Sequence, residues 1–279
     1  MKNELIYRYS RNKLAVVAAI VFIAIVLAAV LSGFLLDYES DIVAQDTPNR
    51  LQPPSSKHLL GTDDFGRDIL ARLIYGARYS LFISLVTVAM STFIGLIIGS
   101  IAGYVGGAID NVIMRVMDVF LSIPQILLAI AIVASLGAGM KNLMFAFTIT
   151  SVPGMARLVR VSVLTIKEQE YIEAAKALAT SKLRIVVEHI WPNIIGPIIV
   201  QATLSIGGII LTTSSLSFMG LGVKPPDPEW GAMLSSAKRF MLSHPNLILF
   251  PGIAIIITVL SVNLIGDGIR DAIDPRLRD

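Results

Sequence analysis

The chain has 279 residues, of which 54% are hydrophobic and only 15% are charged, and its mean hydropathy is +0.74. A soluble protein of this size carries about 25% charged residues, so the composition excludes an ordinary soluble domain. The net charge of +3 is accounted for by Lys and Arg at the cytoplasmic ends of membrane helices, so nucleic acid is not expected as a partner.

Long stretches without Asp, Glu, Lys or Arg predict the membrane spans. About 20 apolar residues cross the hydrocarbon core as a helix, and all but one of the stretches reach that length. The exception, 142–156, spans only if Lys141 and Arg157 extend to opposite interfaces. The expected fold is all-α with six transmembrane helices, at 14–36, 79–109, 119–140, 142–156, 189–223 and 240–266.

The chain begins with a basic tail and its first apolar stretch. Lys2, Arg8, Arg11 and Lys13 precede 23 apolar residues, whereas the apolar part of a signal peptide has about 7–15. We therefore expect a short amphipathic start and an uncleaved first span, which together form the unit 1–36.

The segment 37–80 is expected outside the membrane, with a Pro- and Ser-containing loop that becomes compatible with helix toward Leu81. Six spans put both termini on one side, and the segments facing that side hold 14 Lys and Arg against nine on the other. The positive-inside rule makes the side with the termini cytoplasmic. The remaining unit, 81–279, is expected to contain the other five spans.

The long cytoplasmic segment 164–193 predicts two short amphipathic helices. Thr180 or Ser181 can cap the second helix, and Pro192 marks re-entry into the membrane. An apolar stripe on that helix needs a cover, and it is formed by Leu183, Val186, Val187 and Ile190. It could lie in the lipid interface or on the chain's own bundle, but a docking surface for a soluble protein is favoured.

Residues 171–179 read YIEAAKALA and are followed by HIWPN at 189–193. The two together resemble the EAA loop of bacterial binding-protein-dependent ABC importer permeases. The resemblance implies that this turn inserts into a cleft on a cytoplasmic ATPase subunit. The coupling residues carried over are Tyr171, Glu173, Ala174, Ala175, Ala179, Thr180, Ser181 and Lys182.

The match departs from the family pattern at two positions. Ala179 occupies the position of the usual Gly, and Trp191 that of the usual Leu. Ala179 could take the left-handed backbone that the family Gly suggests, at a cost of about 1 kcal/mol. Because Ala has no special tolerance for that backbone, a first helix that runs through residue 179 and breaks at Thr180-Ser181 is favoured.

Further stretches resemble the "C" type permeases of dipeptide, oligopeptide and nickel importers. They are GTDDFGRD at 61–68, Met117-Asp118 with Ser122-Ile123-Pro124, Ala156-Arg157 with Val159-Arg160, and GDGIRD at 266–271 with Asp274-Pro275-Arg276. The resemblance implies a multi-pass protein of the bacterial inner membrane that transports di- or oligopeptides. Nickel complexes and glutathione remain open as substrates.

The same resemblance implies the partners. They are a homologous second permease that completes the translocation path, two cytoplasmic ATPase subunits, an extracytoplasmic solute-binding protein and membrane lipid. ATP is then hydrolysed by the partner subunits, and this chain binds no cofactor. Consistent with this, the sequence has no GxxxxGK[ST] motif, no cysteine and no catalytic arrangement of side chains.

Two groups of polar residues are candidates for the path or its gate. Asp118, Ser122 and Gln125 lie at the start of the third span, where Asp118 is expected to pair with Arg115 or another base at the cytoplasmic end, or to act as a gate. Thr213, Ser214 and Ser217 on the fifth span either line the path or make helix contacts.

The later part of the chain gives four further expectations. Pro153-Gly154 and Pro197 are expected to break helices inside the membrane, either as packing kinks or as hinges. The outer segment 221–245 is expected to be re-entrant, with Trp230 as an interface anchor. Asp267, between two glycines, is expected to close the last helix.

One rival function comes from a different class. An ion-driven secondary transporter would place ionisable side chains near the middle of the membrane, often in inverted repeats. The uncharged stretches contain only His189 and His244, both near their ends, so this function is disfavoured.

Overall fold

The computed structural model describes residues 2–273 and shows a helical bundle without β-strands in that range. The Asp274-Pro275-Arg276 match therefore lies outside the described residues. The helices are α1 (Lys2–Arg11), α2 (Lys13–Leu35), α3 (Ile69–Val105), α4 (Gly107–Leu121), α5 (Gln125–Leu136), α6 (Met140–Lys167), α7 (Glu170–Ala177), α8 (Lys182–Arg184), α9 (Trp191–Phe218), α10 (Trp230–Ala237) and α11 (Asn246–Ile273).

Five helical segments are long and apolar enough to cross a membrane: α2, α3, α6, α11 and the continuous segment Lys182–Phe218. Each has at least 23 residues, which corresponds to about 35 Å or more of helix. The sixth candidate is the pair α4 and α5, which is bent by 84°. The third span is therefore broken and begins earlier than the span predicted at 119–140.

The direction of α3 and α6 shows that the bent pair is a crossing. A Cβ at Gly95 would lie 2.7 Å from the Met155 side chain, and one at Gly103 would lie 2.9 Å from the Arg160 carbonyl oxygen. Residue numbers thus rise together along both helices, so α3 and α6 run parallel. The chain must return across the bundle between them, and α4 and α5 are the only segment that can do so.

The bend follows from the sequence at the joint. Pro124 precedes α5 with extended backbone at ψ 128°, and its ring disfavours helical backbone at Ile123. Ser122 closes α4, with its N–H bonded to the carbonyl oxygens of Asp118 and Phe120. The two half-helices of 15 and 12 residues are together long enough to cross.

Three prolines lie inside spans that continue past them. Pro153 is in α6, Pro197 in α9 and Pro251 in α11. The predicted helix breaks at Pro153-Gly154 and Pro197 are therefore wrong. Packing against neighbouring helices compensates the hydrogen bond that each proline removes. The uncertain fourth span likewise becomes part of a helix that runs through Arg157 to Lys167.

Helix ends that meet define one face of the bundle. Lys167 Nζ donates to the Gly103 carbonyl oxygen at 3.4 Å, joining the carboxyl ends of α6 and α3. Asn12 Nδ2 donates to Asp271 at 3.3 Å, joining the start of α2 to the end of α11. The helix predicted to close at Asp267 continues to Ile273, and the Asp267 side chain is exposed. A Cβ at Gly196, near the start of α9, would lie 3.2 Å from the Ile273 side chain at the end of α11, and Trp191 Nε1 of α9 donates to Ser100 Oγ of α3 at 3.0 Å. Both ends of the described chain thus lie on the face of the bundle that carries α7.

The opposite face is covered by segments 37–68 and 221–245. Helix α3 begins at Ile69, because the Asp68 side chain accepts a hydrogen bond from Ala71 N at 2.8 Å and caps it. The helix thus starts well before the apolar stretch predicted from residue 79. Arg72 joins the two covering segments by donating to the carbonyl oxygens of Ile42 and Pro226, at 2.6 and 3.2 Å.

Trp230 is a core residue and not the interface anchor that the sequence predicted. It is 2% exposed, and its Nε1 donates to the Leu73 carbonyl oxygen at 2.9 Å. Beside it, the fully buried Glu229 carboxyl group accepts hydrogen bonds from Gly231 N and Ala232 N, both at 2.9 Å, and caps α10. Burial raises the pKa of Glu229 more than these donors lower it.

Candidate functional site

The first part of the site is the turn between α7 and α8, at the end of the bundle where α6 finishes. Ile172 and Ala175 of α7 are buried and pack with Val159 and Val163 of α6. The same core cluster contains Ile185 and Ile190 from the segment after the turn. These contacts fix the turn to the carboxyl-terminal part of α6 and the amino-terminal part of α9.

Ala179 has left-handed backbone with φ 56°, so the expectation that the helix runs through it is wrong. Thr180 N donates to the Ala175 carbonyl oxygen at 3.2 Å, and Ala179 N donates to that of Lys176 at 3.0 Å. This pair of bonds is a Schellman motif, which satisfies the last carbonyl groups of α7. Ala179 thus adopts the conformation that glycine adopts most easily, although its Cβ makes this conformation less favourable.

The second half of the turn is continuous with the next span. Ser181 Oγ accepts a hydrogen bond from Arg184 N at 3.4 Å, which confirms Ser181 as the predicted cap. The helix then passes through a π turn, Ile185–Ile190, into α9. Pro192 directly follows the π turn, and the helix continues through it into α9, so it does not mark a separate re-entry.

The π turn changes which side chains are buried. Of the predicted apolar stripe, Ile190 is fully buried and Val186 is half-buried, whereas Leu183 and Val187 are exposed. The stripe prediction is therefore only partly correct, because it assumed 3.6 residues per turn throughout.

The coupling residues predicted from the resemblance lie together at this turn. All of them are accessible except Ala175, which is 7% exposed and belongs to the chain's own core. Substituting Ala175 would therefore disturb folding as well as docking. The accessible members are Tyr171, Glu173, Ala174, Ala179, Thr180, Ser181 and Lys182.

Two leucines give the turn an exposed apolar surface that the resemblance did not identify. Leu178 is 82% exposed and Leu183 is 75% exposed, one on each side of Ala179. An exposed Leu of this kind could be found from sequence only if the position of the left-handed residue were known. We call the exposed surface from Tyr171 to Leu183 the coupling surface.

The second part of the site is a cavity of about 440 Å³ between α5, α6 and α9, with the bent joint as one wall. Within the described residues its lining contains no Asp, Glu, Lys or Arg. The polar side chains that line it are amides and hydroxyls, among them Gln125, Thr150, Ser151, Gln201, Ser205 and Thr212.

Gln125 is the predicted path residue that lies in this cavity. Its Nε2 donates to Ser151 Oγ at 3.0 Å and to Thr150 Oγ1 at 3.4 Å. Across the cavity, Gln201 Nε2 donates to Ser205 Oγ at 3.4 Å. The arrangement offers neutral donors and acceptors to a solute and presents no fixed charge.

Asp118 and Ser122 lie beside the cavity without lining it. Asp118 pairs with Arg157 of α6, so of the two predicted partners it takes the other base and not Arg115. Ser122 Oγ donates to the Val119 carbonyl oxygen at 2.7 Å in the last turn of α4. Both residues thus belong to the joint at which the third span bends.

Thr213, Ser214 and Ser217 face away from the cavity. All three are buried, at 2%, 5% and 2% exposure, and α10 packs closely on them, with a Cβ at Gly231 placed 2.5 Å from the Ser214 carbonyl oxygen. Of the two sequence-based alternatives, this burial favours helix contact. The neighbouring Thr212 lines the cavity, and no sequence pattern distinguished it from the other hydroxyls.

Comparison with known proteins places the chain in a family. The sequence model of one protein family, the binding-protein-dependent transport system inner membrane component, matches residues 95–279. The model of the N-terminal TM domain of oligopeptide transport permease C matches residues 3–54.

Individual relatives match along nearly the whole chain. A dipeptide transport system permease protein of Alkalihalophilus pseudofirmus is 47% identical over 99% of this chain and 90% of its own length. Glutathione transport system permease proteins of Escherichia coli and Shigella boydii are 42% identical over 99% of this chain and 91% of their own length. With a family match of this extent and a bundle of this form, the chain belongs to the inner-membrane permease components of binding-protein-dependent transport systems.

Proposed function

We propose that this chain is one permease subunit of an ATP-driven importer of di- and oligopeptides. It forms half of the translocation path and docks through the coupling surface on a cytoplasmic ATPase subunit. The observation that carries the proposal is the coupling surface itself, an exposed apolar turn held rigidly against two spans. Exposed leucines at this density require a partner, because a free apolar surface favours association.

The partners follow from the family and from the incomplete cavity. A binding-protein-dependent system supplies a solute-binding protein outside and ATPase subunits inside. A homologous second permease faces the open side of the cavity and completes the path. The expected assembly has two permeases, two ATPases and one binding protein, and ATP is hydrolysed by the ATPases alone.

The neutral lining of the cavity suits peptides. Backbone amides of a passing peptide can exchange hydrogen bonds with Gln125, Gln201 and the nearby hydroxyls, whatever the charge of the peptide's side chains. Glutathione, a peptide-like solute named for the relatives at 42% identity, is the second candidate substrate. A bare nickel ion is disfavoured, because no cluster of His, Cys, Asp or Glu with metal-binding geometry occurs among the described residues.

We place the chain in the bacterial inner membrane with both termini cytoplasmic. The helix ends described above put α1 and the end of α11 on the same face as the coupling surface. An ATPase that docks there must be cytoplasmic, because ATP is available in that compartment.

An ion-driven mechanism is not supported by the charged groups in the bundle. The carboxylates of the membrane-spanning helices α4 and α6 are Asp110 and Asp118, which pair with Arg160 and Arg157. Because each carboxylate already has an arginine partner, neither offers a free carboxylate to a coupling ion.

The test is peptide uptake by the intact transporter reconstituted in vesicles. Loaded binding protein should stimulate ATP hydrolysis and dipeptide uptake, with glutathione as the competing substrate. Glu173→Lys, a charge reversal at the coupling surface, should lower both activities together while the permease remains in the membrane. Uptake at the wild-type rate by Glu173→Lys, or uptake driven by an ion gradient without ATP, would contradict the proposal.

A further inference from the structure

Two ion pairs fasten α4 to α6. Arg160 donates two hydrogen bonds to Asp110, from Nε to Oδ1 at 2.6 Å and from Nη2 to Oδ2 at 2.5 Å. At the other end of α4, Arg157 Nη2 donates to Asp118 Oδ1. The two aspartates are two turns apart on α4, about 12 Å along its axis. The pairs therefore fix the direction of α4 as well as its position.

The ion pairs are a large share of what holds α4. Of its fifteen residues, only Asp110 and Met117 are buried. The apolar contact is one cluster, in which Met117 packs with Val152 and Ala156 of α6. The half-buried Ile113 and Met114 of α4 and Ile94 and Ile98 of α3 pack against it. A bidentate arginine–carboxylate pair with a carboxylate side chain only 11% exposed adds both energy and fixed geometry.

At its carboxyl-terminal end, α6 is joined to the coupling surface. Val159 and Val163, on the same stretch of α6 as the two arginines, pack with Ile172 and Ala175 of α7. Only Glu168 and Gln169 separate the end of α6 from α7. A displacement of α7 is therefore transmitted to the part of α6 that carries Arg157 and Arg160.

At its carboxyl-terminal end, α4 leads into the wall of the cavity. Phe120 and Leu121 of its last turn and Ile123 and Pro124 of the joint all line the cavity. Between α4 and α5 the axis bends by 84°. A rotation of α4 thus changes the shape of the cavity directly.

We propose that four residues position α4 so that it moves as one body with the carboxyl-terminal part of α6. They are Asp110, Asp118, Arg157 and Arg160. Movement of the coupling surface then changes the angle at the joint 122–124 and with it the width of the path. The proposal rests on the proposed function, because the movement is driven by the docked ATPase.

Transport stoichiometry in the reconstituted complex tests this linkage. Asp118→Asn and Arg157→Gln should each lower the peptide taken up per ATP hydrolysed by about three- to fivefold, the effect expected of one partly exposed ion pair. ATP hydrolysis itself should persist. The exchanged pair Asp118→Arg with Arg157→Asp should recover most of the loss.

Arg115→Gln is the matched control, because Arg115 is an exposed arginine of the same helix without an ion-pair partner among residues 2–273. Unchanged stoichiometry in both single variants would overturn the proposal. If instead the wild-type complex shows no ATP hydrolysis that peptide and binding protein stimulate, the proposed function fails, which is a separate outcome.

Distances between spin labels provide a test that does not depend on the exchanged pair folding. The chain has no cysteine, so labels can be placed at exposed Val112 on α4, Val161 on α6 and Leu136 on α5. On ATP binding, the 112–161 distance should stay constant while the 112–136 distance changes. In Asp118→Asn the 112–161 distance should become variable. A constant 112–136 distance in the wild-type complex would overturn the proposal.

Discussion

Ala179 shows how a single backbone conformation determines the shape of the coupling surface. Its φ of 56° turns the chain so that Leu178 and Leu183 project on either side of the turn. Left-handed backbone costs an alanine about 1–2 kcal/mol relative to right-handed helix. The Schellman hydrogen bonds of Ala179 and Thr180 offset part of that amount.

Ala179→Gly should therefore stabilise the folded chain by up to about 1 kcal/mol, since glycine adopts left-handed backbone without steric conflict. The gain is limited because glycine also has more freedom in the unfolded chain, worth about 0.4–1 kcal/mol. Thermal unfolding of the purified subunit measures the change. Ala174→Gly, in the middle of α7, is the control and should destabilise by about 0.5–1 kcal/mol.

If Ala179→Gly proved as destabilising as Ala174→Gly, the assignment of a left-handed turn to residue 179 would be wrong.

The sequence contained the signal for this turn, because the related loops carry glycine at this position. Propensity reasoning gave the opposite answer, since it weighed the residue type and could not include the hydrogen bonds that the turn forms.

Glu229 carries a second prediction at the scale of a residue. Its carboxyl group is fully buried, and burial raises its pKa above the usual value of 4.5. The folded chain then binds this proton more tightly than the unfolded chain, so the group's contribution to stability is present at low pH. It is lost as the pH rises through the raised pKa.

Glu229→Gln removes the titrating group, so the unfolding temperature of the wild type relative to this variant should fall as the pH rises above about 4.5. Thermal unfolding in detergent across pH 4.5–8 measures the difference. Glu39→Gln, at an exposed position in the same outer region, is the control. Parallel pH profiles for wild type and Glu229→Gln would show that Glu229 does not titrate in this way.

At the scale of elements, the limits of sequence reasoning lie where a helix continues or breaks against its local pattern. The apolar stretches located the spans well, since desolvation requires them to be apolar. They placed the start of α3 too late, because residues 69–78 are amphipathic and the outer segments cover them. The bend at Ile123-Pro124 could have been foreseen from the effect of proline on the preceding residue.

Helix α7 gives a pair of adjacent alanines with opposite surroundings. Ala174 is exposed on the coupling surface, whereas Ala175 is buried against α6 and the segment after the turn. Ala174→Arg should leave the unfolding free energy of the subunit within about 0.5 kcal/mol of wild type, as exposed substitutions usually do. It should reduce binding of the ATPase, because bulk and charge enter the docking contact.

Ala175→Arg should instead lower the unfolding free energy of the subunit itself by about 1–3 kcal/mol or more, because the core has no room for the larger side chain. Thermal unfolding of the isolated subunit and capture of the ATPase by the tagged permease separate the two effects. Equal loss of stability in both variants would contradict the assignment of Ala174 to the outer surface of α7.

At the scale of the whole molecule, the arrangement of the crossings was predictable, and the composition of the path was not. Hydropathy and charge distribution predicted six crossings with both ends on one side. Which hydroxyls face the cavity depends on the rotation of α9, because Thr212 and Thr213 are adjacent yet point to opposite sides. That rotation is set by the close packing of α10 at Gly231, a contact distant in sequence.

The proposed orientation leads to a test with single cysteines, which is clean because the chain has none of its own. Exposed positions are required, so Ser10 and Leu178 represent the cytoplasmic face and Ser56 and Lys224 the outer face. Pro228 and its neighbours in the outer segment are buried and are unsuitable. In intact cells, a membrane-impermeant thiol reagent should label Ser56→Cys and Lys224→Cys only.

After the membrane is opened, Ser10→Cys should become reactive, and Leu178→Cys should do so fully once the ATPase is removed. The parallel course of α3 and α6 makes the result informative about the bent pair. If α4 and α5 did not cross together, α6 would run opposite to α3, and Leu178 would lie on the outer face with Ser56. Labelling of Leu178→Cys from outside intact cells would therefore refute the sixth crossing and the docking role of the coupling surface at once.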